Sequence, residues 1–382
     1  MILIKILIFL GKLVFSVDLT FSILKNNLSI EREKRAILKR KNYLWKEKVI
    51  PYYVNNILND NIINYALLKI SKETCFKFKQ TYNPRKALFT YQPGLLYLTD
   101  LGKRKEIPHK IYVQKHTMDV GNIIRETMRA LGVDYEHNRY DRDHFIFINW
   151  KNIKPKFLKF FKKDFKGSTN TFNTSYDYRS VMHFSEDEYG ILRKRVITAY
   201  NVYMQPFIGK SQSLTFNDAK ILNQKYCSYP QITHPDCINF SYQDPKHPSI
   251  CKCPSFTQGI DCGNLIINND FCSYHNQLFA RKEKHTVFLH VGGNCTFYVL
   301  ANFGKKIAMK ISYYNLRLSK YICKESKSIE IRYRQDLGAS GNLFCPGQST
   351  RSILSESHRV IIQSHFPAME IIVKVKFWEV NS

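Results

Sequence analysis

The residues with the clearest chemical pattern lie on a predicted helix over residues 120–131, which Gly132 ends. Arg125 and Arg129 are four residues apart, so their side chains share one face of that helix. Two histidines at this spacing can hold one metal ion. A guanidinium group keeps its proton and has no acceptor atom, so neither arginine can bind zinc. Beside the first arginine, the carboxylate of Glu126 has the chemistry of a general base.

The wider segment, residues 124–143, resembles the zinc-binding signature of the astacin family, His-Glu-x-x-His-x-x-Gly-x-x-His-Glu-x-x-Arg-x-Asp-Arg-Asp. In that family the histidines bind zinc, and the first glutamate activates the zinc-bound water. Here Arg125, Arg129 and Tyr135 occupy the histidine positions, which we call the three ligand positions. The framework of the signature is kept at Glu126, Gly132, Glu136, Arg139, Asp141, Arg142 and Asp143. The resemblance implies the family fold around a site without its metal ligands.

A second segment, residues 176–184, resembles the methionine turn of the same family. Met182 stands at the methionine position, and Phe184 replaces a tyrosine whose hydroxyl reaches the zinc in family members. Residues 36–45 resemble the mature N-terminus, whose new ammonium group is buried in active members against the glutamate that is here Glu136. The resemblance implies structural roles for Met182, for Glu136 and for the glycine that ends the helix.

The cysteines also resemble those of nematode astacins. The chain has ten cysteines, an even number that suits an oxidising compartment. Residues 237–262 resemble a shortened EGF-like module, and the cysteines from 272 to 345 have the two-bridge spacing of a CUB domain. The resemblance implies the disulfides Cys75–Cys227, Cys237–Cys251, Cys253–Cys262, Cys272–Cys295 and Cys323–Cys345.

The residues at the ligand positions argue against zinc binding. A +2 ion about 5 Å from a guanidinium meets roughly 7 kcal/mol of repulsion at an effective dielectric constant of about 20. Two such repulsions are comparable to the ~10–16 kcal/mol of a structural zinc site. We therefore expect no cofactor, and we expect Glu126 to be a retained but non-functional base. Arg125 and Arg129 are expected either to hold a carboxylate or phosphate of a partner, or to pair with Asp134 or Glu126.

The sequence thus predicts a secreted homologue of astacin-family metalloendopeptidases that is zinc-free, proteolytically inactive and acts by binding protein or peptide. One alternative is an active zinc metalloendopeptidase with a non-standard metal site. Another is a basic extracellular adhesion protein that binds acidic glycans. The net charge of +27, from 58 basic and 31 acidic residues, favours polyanionic partners such as an acidic glycan or an anionic surface.

The elements that must position this site alternate between strand-like and helical runs over residues 43–229, which predicts a mixed α+β, astacin-like (metzincin) domain. Residues 49–54 are strand-like, and residues 62–70 have apolar side chains at helical spacing. Residues 230–263 are rich in proline, glycine and cysteine, which predicts a small disulfide-bonded, EGF-like module without a core of its own. From Cys272 onward, short alternating runs predict a CUB-like β-sandwich.

The start of the chain predicts secretion. Residues 1–16 have the features of a signal peptide, and residues 17–35 form a short propeptide that ends in a dibasic site. We expect cleavage between Arg35 and Ala36, and an extracellular protein without a transmembrane span or a nucleic-acid partner. The remaining boundaries are 36–229 for the astacin-like peptidase domain, 230–263 for the EGF-like module and 264–382 for the CUB-like domain. Glycosylation sequons stand at Asn27, Asn173, Asn239 and Asn294.

A lysine-rich run over residues 156–166 has two interpretations. Its phenylalanines have helical spacing with lysines between them, at Phe157, Phe160, Phe161 and Phe165. They could form a basic amphipathic surface for a membrane or an acidic glycan. The commoner outcome for such a pattern is that the rings pack into the core while the lysines face solvent.

Overall fold

The computed structural model describes residues 37–38, 41–164, 169–314, 323–367 and 370–381. The predicted signal peptide, the propeptide, the Arg35–Ala36 cleavage site and the sequon at Asn27 lie outside the described residues. Among the helices that the structure describes, none is both long enough and apolar enough to cross a bilayer.

The N-terminal domain combines a five-stranded sheet with three α-helices. Its strands are β1 (Ile37–Leu38), β2 (Val49–Val54), β3 (Lys77–Gln80), β4 (Phe89–Gly94), β5 (Leu98–Thr99), β6 (His109–Gln114), β7 (Ile146–Ile148), β8 (Thr169–Asn170) and β9 (Ile197–Ala199). Its α-helices are α1 (Asp60–Glu73), α2 (Val120–Ala130) and α3 (Phe216–Tyr226). The sheet has the order β3-β2-β4-β6-β5, and its strands run parallel except for the edge strand β5.

Side-chain caps fix where the α-helices begin. The Asn59 side chain accepts from the first turn of α1, and the Asp119 side chain accepts from the first turn of α2. Thr215 and Asp218 form a capping box at the start of α3. Helix α1 then buries the apolar positions expected from its spacing, namely Ile63, Ala66, Leu67 and Ile70.

The connecting segments contain short 3-10 helices. They are Lys41–Tyr43, Pro84–Lys86, Glu136–Asn138, Arg142–His144, Trp150–Asn152, Pro155–Phe161, Ile191–Arg193, Gln205–Phe207 and, in the C-terminal part, Glu325–Lys327. The first part of the lysine-rich run lies in Pro155–Phe161, where Phe157 and Phe161 are buried in the domain core. Core packing therefore describes these two rings better than an amphipathic surface does, while Phe165 lies outside the described residues.

A small segment with little secondary structure follows α3. It contains the short strands β10 (Tyr242–Gln243), β11 (Cys251–Lys252), β12 (Thr257–Gln258) and β13 (Asn264–Leu265), paired as two antiparallel ladders. The disulfides Cys237–Cys251 and Cys253–Cys262 cross-link it. Its buried Phe256 packs against Tyr298, Leu337 and Ile361, which all belong to the next domain. The segment thus buries its main apolar side chain against a neighbour.

The C-terminal domain is a sandwich of two sheets. Its strands are β14 (Gln277–Phe279), β15 (His285–His290), β16 (Thr296–Leu300), β17 (Lys305–Tyr313), β18 (Ile329–Arg332), β19 (Asn342–Phe344), β20 (Arg351–Leu354), β21 (Arg359–Ser364) and β22 (Ile372–Asn381). The sheet orders are β14-β16-β21-β18-β19 and β15-β22-β17-β20. Alternate residues of both sheets form one buried core, so the predicted mixed α/β domain followed by a β-sandwich is confirmed.

Polar contacts join the sandwich to the methionine-turn segment. Arg179 Nη1 donates to Glu330 Oε1 at 2.9 Å, and Ser340 Oγ donates to Asp177 Oδ2 at 3.0 Å. The Arg334 guanidinium donates to the backbone carbonyl of Tyr176. These groups are largely buried, so the two domains share a polar interface directly behind the segment that carries Met182.

Candidate functional site

Helix α2 carries the first two ligand positions on one buried face. Its first turn is fixed by Asp119, whose Oδ1 accepts from the Asn122 backbone at 2.8 Å. Arg125 and Arg129 lie one turn apart, with only 3% and 7% of their surfaces exposed. The helix ends at Gly132, which has a φ of +96°, a conformation that side chains rarely allow.

The turn at this glycine returns the chain to the first two ligand positions. Val133 forms a β-bridge with Ile37, and Tyr135 follows two residues later. The Tyr135 ring centroid lies 4.3 Å from Arg129 Cζ and 5.9 Å from Arg125 Cζ. The three ligand positions therefore meet in one place, where two guanidinium groups and a phenol ring fill the space.

Arg125 is held by a carboxylate from the segment that follows the methionine turn. Its Nη2 and Nη1 donate to Glu188 Oε1 and Oε2 at 2.7 and 3.1 Å, which is a bidentate ion pair. Its Nε lies 3.6 Å from Glu126 Oε1. Burial lowers the pKa of Arg125, but the charges of Glu188 and Glu126 outweigh burial and raise it overall. The guanidinium is therefore a fixed cation at the first ligand position.

Arg129 forms its ion pair with a residue five positions later, just after the glycine turn. Its Nη1 forms an ion pair with Asp134, and its Nε donates to the carbonyl of Thr99 on the edge strand β5 at 3.2 Å. Its guanidinium carbon lies over the Tyr135 ring, an arrangement that favours a cation–π contact. Burial lowers the pKa of Arg129, and the Asp134 charge outweighs it. Pairing with Asp134 was one of the two expected outcomes for the arginines.

Glu126, the position of the general base, is enclosed by this network. The Tyr135 hydroxyl donates to Glu126 Oε1 at 3.2 Å, and Glu126 is fully buried. Burial raises the pKa of Glu126, against the lowering effect of Arg125 and Arg129. Burial likewise raises the pKa of Tyr135 well above its usual value, so the phenol stays protonated. The Glu126 carboxylate is therefore shielded from solvent.

The methionine turn packs apolar side chains against the three ligand positions. Met182 is buried, and its carbonyl accepts from the Glu136 backbone at 3.0 Å. The Phe184 ring is fully buried, 4.4 Å from the Tyr135 ring and 4.7 Å from Arg125 Cζ. Phenylalanine at this position offers packing and no hydroxyl.

Glu136 lies in the 3-10 helix Glu136–Asn138, and its carboxyl group joins this segment to the methionine turn. Its Oε1 accepts from the Asp177 backbone at 2.7 Å and lies 3.5 Å from Arg139 Nη1. Burial raises the pKa of Glu136 to about 8, although Arg139 lowers it. Near this carboxyl the segment Ile37–Leu38 packs against the glycine turn, where Leu38 donates to the Gly132 carbonyl at 3.1 Å. This carboxyl therefore belongs to the interior of the fold.

The residues present do not fit zinc. Two of the ligand positions hold protonated guanidiniums, which have no acceptor atom, and the third holds a protonated phenol that donates to Glu126 and supplies no nitrogen ligand. Both nitrogens of His183 are engaged, Nε2 at 2.6 Å from the Tyr176 hydroxyl and Nδ1 at 2.7 Å from the Phe184 carbonyl. His137 Nε2 lies 3.2 Å from the Phe160 carbonyl, and its Nδ1, which has no hydrogen-bond partner among the described residues, would be a single ligand and not a site. Burial lowers the pKa of His183 to about 4. No catalytic step through a metal can be derived from this set.

Within the described ranges, one group of side chains has metal-like spacing elsewhere. It consists of His234, Cys237 and Cys251. The two cysteines form a disulfide with each other, so they offer no thiolate, and a lone histidine does not hold a metal.

The arrangement defines a class. A helix with two ligand positions one turn apart, a glycine turn, a third position and a methionine turn beneath them is the architecture of the metzincin metallopeptidases. The profile of the peptidase family Astacin matches residues 37–227, which is half of the chain. The chain belongs to the astacin family.

Several relatives resemble the chain along most of its length. Zinc metalloproteinase nas-34 of Caenorhabditis elegans is 26% identical over 337 residues, covering 87% of this chain and 55% of that protein. Zinc metalloproteinase nas-26 of the same organism is 24% identical over 352 residues, covering 88% and 83%. Among solved structures, high choriolytic enzyme 1 of Oryzias latipes is 29% identical with a TM-score of 0.42, covering 50% of this chain and 94% of that one. The chain spans little more than half the length of the first of these relatives.

The sequence did not indicate two partners of the site. Glu188 is 63 residues from Arg125 along the chain, and the Thr99 carbonyl that binds Arg129 is a backbone group. The position of Glu188 as an acidic residue shortly after the methionine turn is the signal in the sequence that could have indicated it.

Proposed function

We propose that this chain is a secreted, zinc-free member of the astacin family that does not cleave peptides and acts by binding a protein or peptide. One observation carries the proposal. The three ligand positions hold two arginines and a tyrosine that are buried and engaged with Glu188, Asp134 and Glu126. To bind, a zinc ion would have to separate two buried ion pairs and would gain no nitrogen ligand in return.

The proposed organisation follows the chain order. We assign residues 1–16 to a signal peptide, 17–35 to a propeptide released at Arg35–Ala36, 36–229 to the astacin-like domain, 230–263 to an EGF-like module and 264–382 to a CUB-like domain. The two disulfides in the small segment, Cys237–Cys251 and Cys253–Cys262, and the two in the sandwich, Cys272–Cys295 and Cys323–Cys345, support this division.

Glycans are proposed at three of the sequons. Asn173 and Asn294 are exposed, which suits attachment. Asn239 is only half-exposed, and its Nδ2 donates to the Cys262 carbonyl at 3.0 Å. A glycan at Asn239 would replace one of the two Nδ2 hydrogens beside that contact in a half-buried position, so peptide mapping should find this sequon the least occupied of the three.

The test measures metal and activity on the same sample. Secreted protein purified without chelator is analysed by plasma mass spectrometry and incubated with casein and gelatin. We expect no stoichiometric zinc and no cleavage. The matched control is the variant with Arg125→His, Arg129→His and Tyr135→His, prepared identically, which shows that the preparation can retain zinc. Stoichiometric zinc in the natural chain together with chelator-sensitive cleavage would overturn the proposal.

A further inference from the structure

One face of the β-sandwich carries lysines without an acidic residue at the outward positions of its four described strands. In the sheet β15-β22-β17-β20, Thr286 lies opposite Lys376, Lys376 lies opposite Lys310, and Lys310 lies opposite Ser352. A single row of two lysines flanked by two hydroxyl residues thus crosses all four strands, and all four residues are exposed. Their strand neighbours Val375 and Ile311 point into the core, so the side chains of the row point towards solvent.

Further positive charge lies on the same side of the sheet. Lys374 is two residues from Lys376 on β22, a separation of about 7 Å along a strand. Lys306 is four residues before Lys310 on β17, an even spacing that places both side chains on the same side of the sheet. We call Lys306, Lys310, Lys374 and Lys376, with Phe288 and Trp378 between them, the basic face. The outward positions of the four strands include no Asp or Glu.

The charges of the basic face repel one another. Lys310 and Lys376 are directly opposite across β17 and β22, and like charges at that separation destabilise a sheet. Within the part of the chain that the structure describes, none of the four lysines of the basic face forms an ion pair with a carboxylate. An anionic partner would relieve this repulsion without displacing any internal contact.

The aromatic residues of this face lie beneath ammonium groups. Lys374 Nζ lies 5.9 Å from the Phe288 ring centroid, and Lys284 Nζ lies 5.2 Å from the Trp378 ring centroid. The surface therefore presents charge at its outermost level, with ring area between the charges. Membrane binding at an interface needs apolar side chains that reach past the basic ones into the lipid, and this geometry lacks that order for the two rings.

We propose that the basic face binds a sulfated polysaccharide chain. The row across four strands is about 14 Å long, which is too long for one small anion and requires an extended ligand with repeated negative groups. Lysines can pair with sulfates, the hydroxyls of Thr286 and Ser352 can donate to sulfate oxygens, and a sugar ring can pack on the exposed half of the Phe288 ring. The site does not depend on whether the astacin-like domain binds zinc.

The experiment compares two triple variants of the full chain. The first, Lys310→Gln with Lys374→Gln and Lys376→Gln, removes three charges from the basic face. The control, Lys72→Gln with Lys77→Gln and Lys79→Gln, removes three exposed charges from the N-terminal domain. Binding to heparin is measured by titration calorimetry at physiological salt. We expect the first variant to lose about 10- to 100-fold in affinity and the control to lose less than about threefold, because binding would follow the local field and not the net charge.

Footprinting of the natural chain supplies a measurement that needs no variant. Amine-reactive labelling with and without heparin should show protection of Lys310, Lys374 and Lys376 and none of Lys77 and Lys79. Equal losses in the two triple variants, or protection spread evenly over all lysines, would show a diffuse charge effect and overturn the proposal. It is also overturned if the natural chain binds phosphatidylserine vesicles but neither heparin nor dextran sulfate, or if unsulfated polysaccharide binds as tightly as heparin.

Discussion

The ion pair between Arg125 and Glu188 can be broken by one nearly isosteric change, Glu188→Gln. The substitution keeps an oxygen for the Ser185 backbone, which donates to Glu188 Oε2 at 3.1 Å. It removes the negative charge that neutralises the Arg125 guanidinium, whose side chain is 4% exposed. The variant therefore isolates the electrostatic role of Glu188 at the first ligand position.

The expected loss can be worked out from the burial of the pair. Removing one partner of a buried ion pair costs about 3–5 kcal/mol, because the other charge is left buried and unpaired. Glu126 remains 3.6 Å from Arg125 Nε, so we expect the lower end, about 3 kcal/mol in the free energy of unfolding. For a domain of this size that corresponds to a fall in Tm of about 6–12 °C.

Calorimetry of the full chain measures this fall, with two matched variants. Glu186→Gln changes the same residue type two positions away, where the carboxylate pairs with Arg195 at 2.9 Å in a half-exposed ion pair worth about 0–1 kcal/mol. Combining Arg125→Met with Glu188→Gln removes the guanidinium that needs a partner, and most of the lost stability should return. If Glu188→Gln lowers Tm no more than Glu186→Gln does, Glu188 does not neutralise the site and the reasoning is wrong.

Three further predictions follow from the same geometry. Histidines at all three ligand positions, combined with Glu188→Gln so that Glu188 does not lose its partner Arg125, should restore stoichiometric zinc by plasma mass spectrometry. Adding Phe184→Tyr should then raise kcat on casein more than it changes zinc affinity, and a folded variant without zinc would contradict this. In the chain that is not cleaved before Ala36, burial raises the pKa of Glu136 from 4.5 to about 8. The contribution of Glu136 to the free energy of unfolding is therefore present below about pH 4.5 and is lost as the pH rises through about 8. Tm should fall across that pH range, and Glu136→Gln should reduce the fall. Replacing Cys75 and Cys227 by serine opens a bridge that spans 152 residues and should lower the free energy of unfolding by about 5 kcal/mol, measured as a fall in the urea midpoint.

The fold could be predicted where local spacing determines structure. Alternation between exposed and buried residues in β2 and β22, and helical spacing in α1, each follow from one period of side-chain direction. The five disulfides of the structure are the pairs that the family resemblance implied. In both cases the information lies in short segments or in a pattern shared by relatives.

Contacts between distant segments could not be predicted in this way. No spacing rule relates Arg125 to Glu188, or Asp336 to Asn217, whose Nδ2 donates to it at 3.0 Å across the domain interface. The sequence left two outcomes open for the arginines, an external anion or an internal carboxylate. Only the folded chain shows that internal carboxylates already neutralise both.

The retained framework of the signature is explained by these long-range contacts without any catalysis. Glu136 holds the Asp177 backbone, and the Asp177 carboxylate in turn accepts from Ser340 of the sandwich. Arg179, in the same turn, pairs with the buried Glu330, whose pKa the surrounding Arg332 and Arg179 hold well below its usual range against the opposing effect of burial. Losing Glu136 would therefore loosen the surface on which the sandwich packs. The residues at the three ligand positions contribute to none of these contacts, because Arg125, Arg129 and Tyr135 pair instead with Glu188, Asp134 and Glu126. The contacts of Glu136 and of the methionine turn with the sandwich therefore do not depend on which side chains stand at the ligand positions.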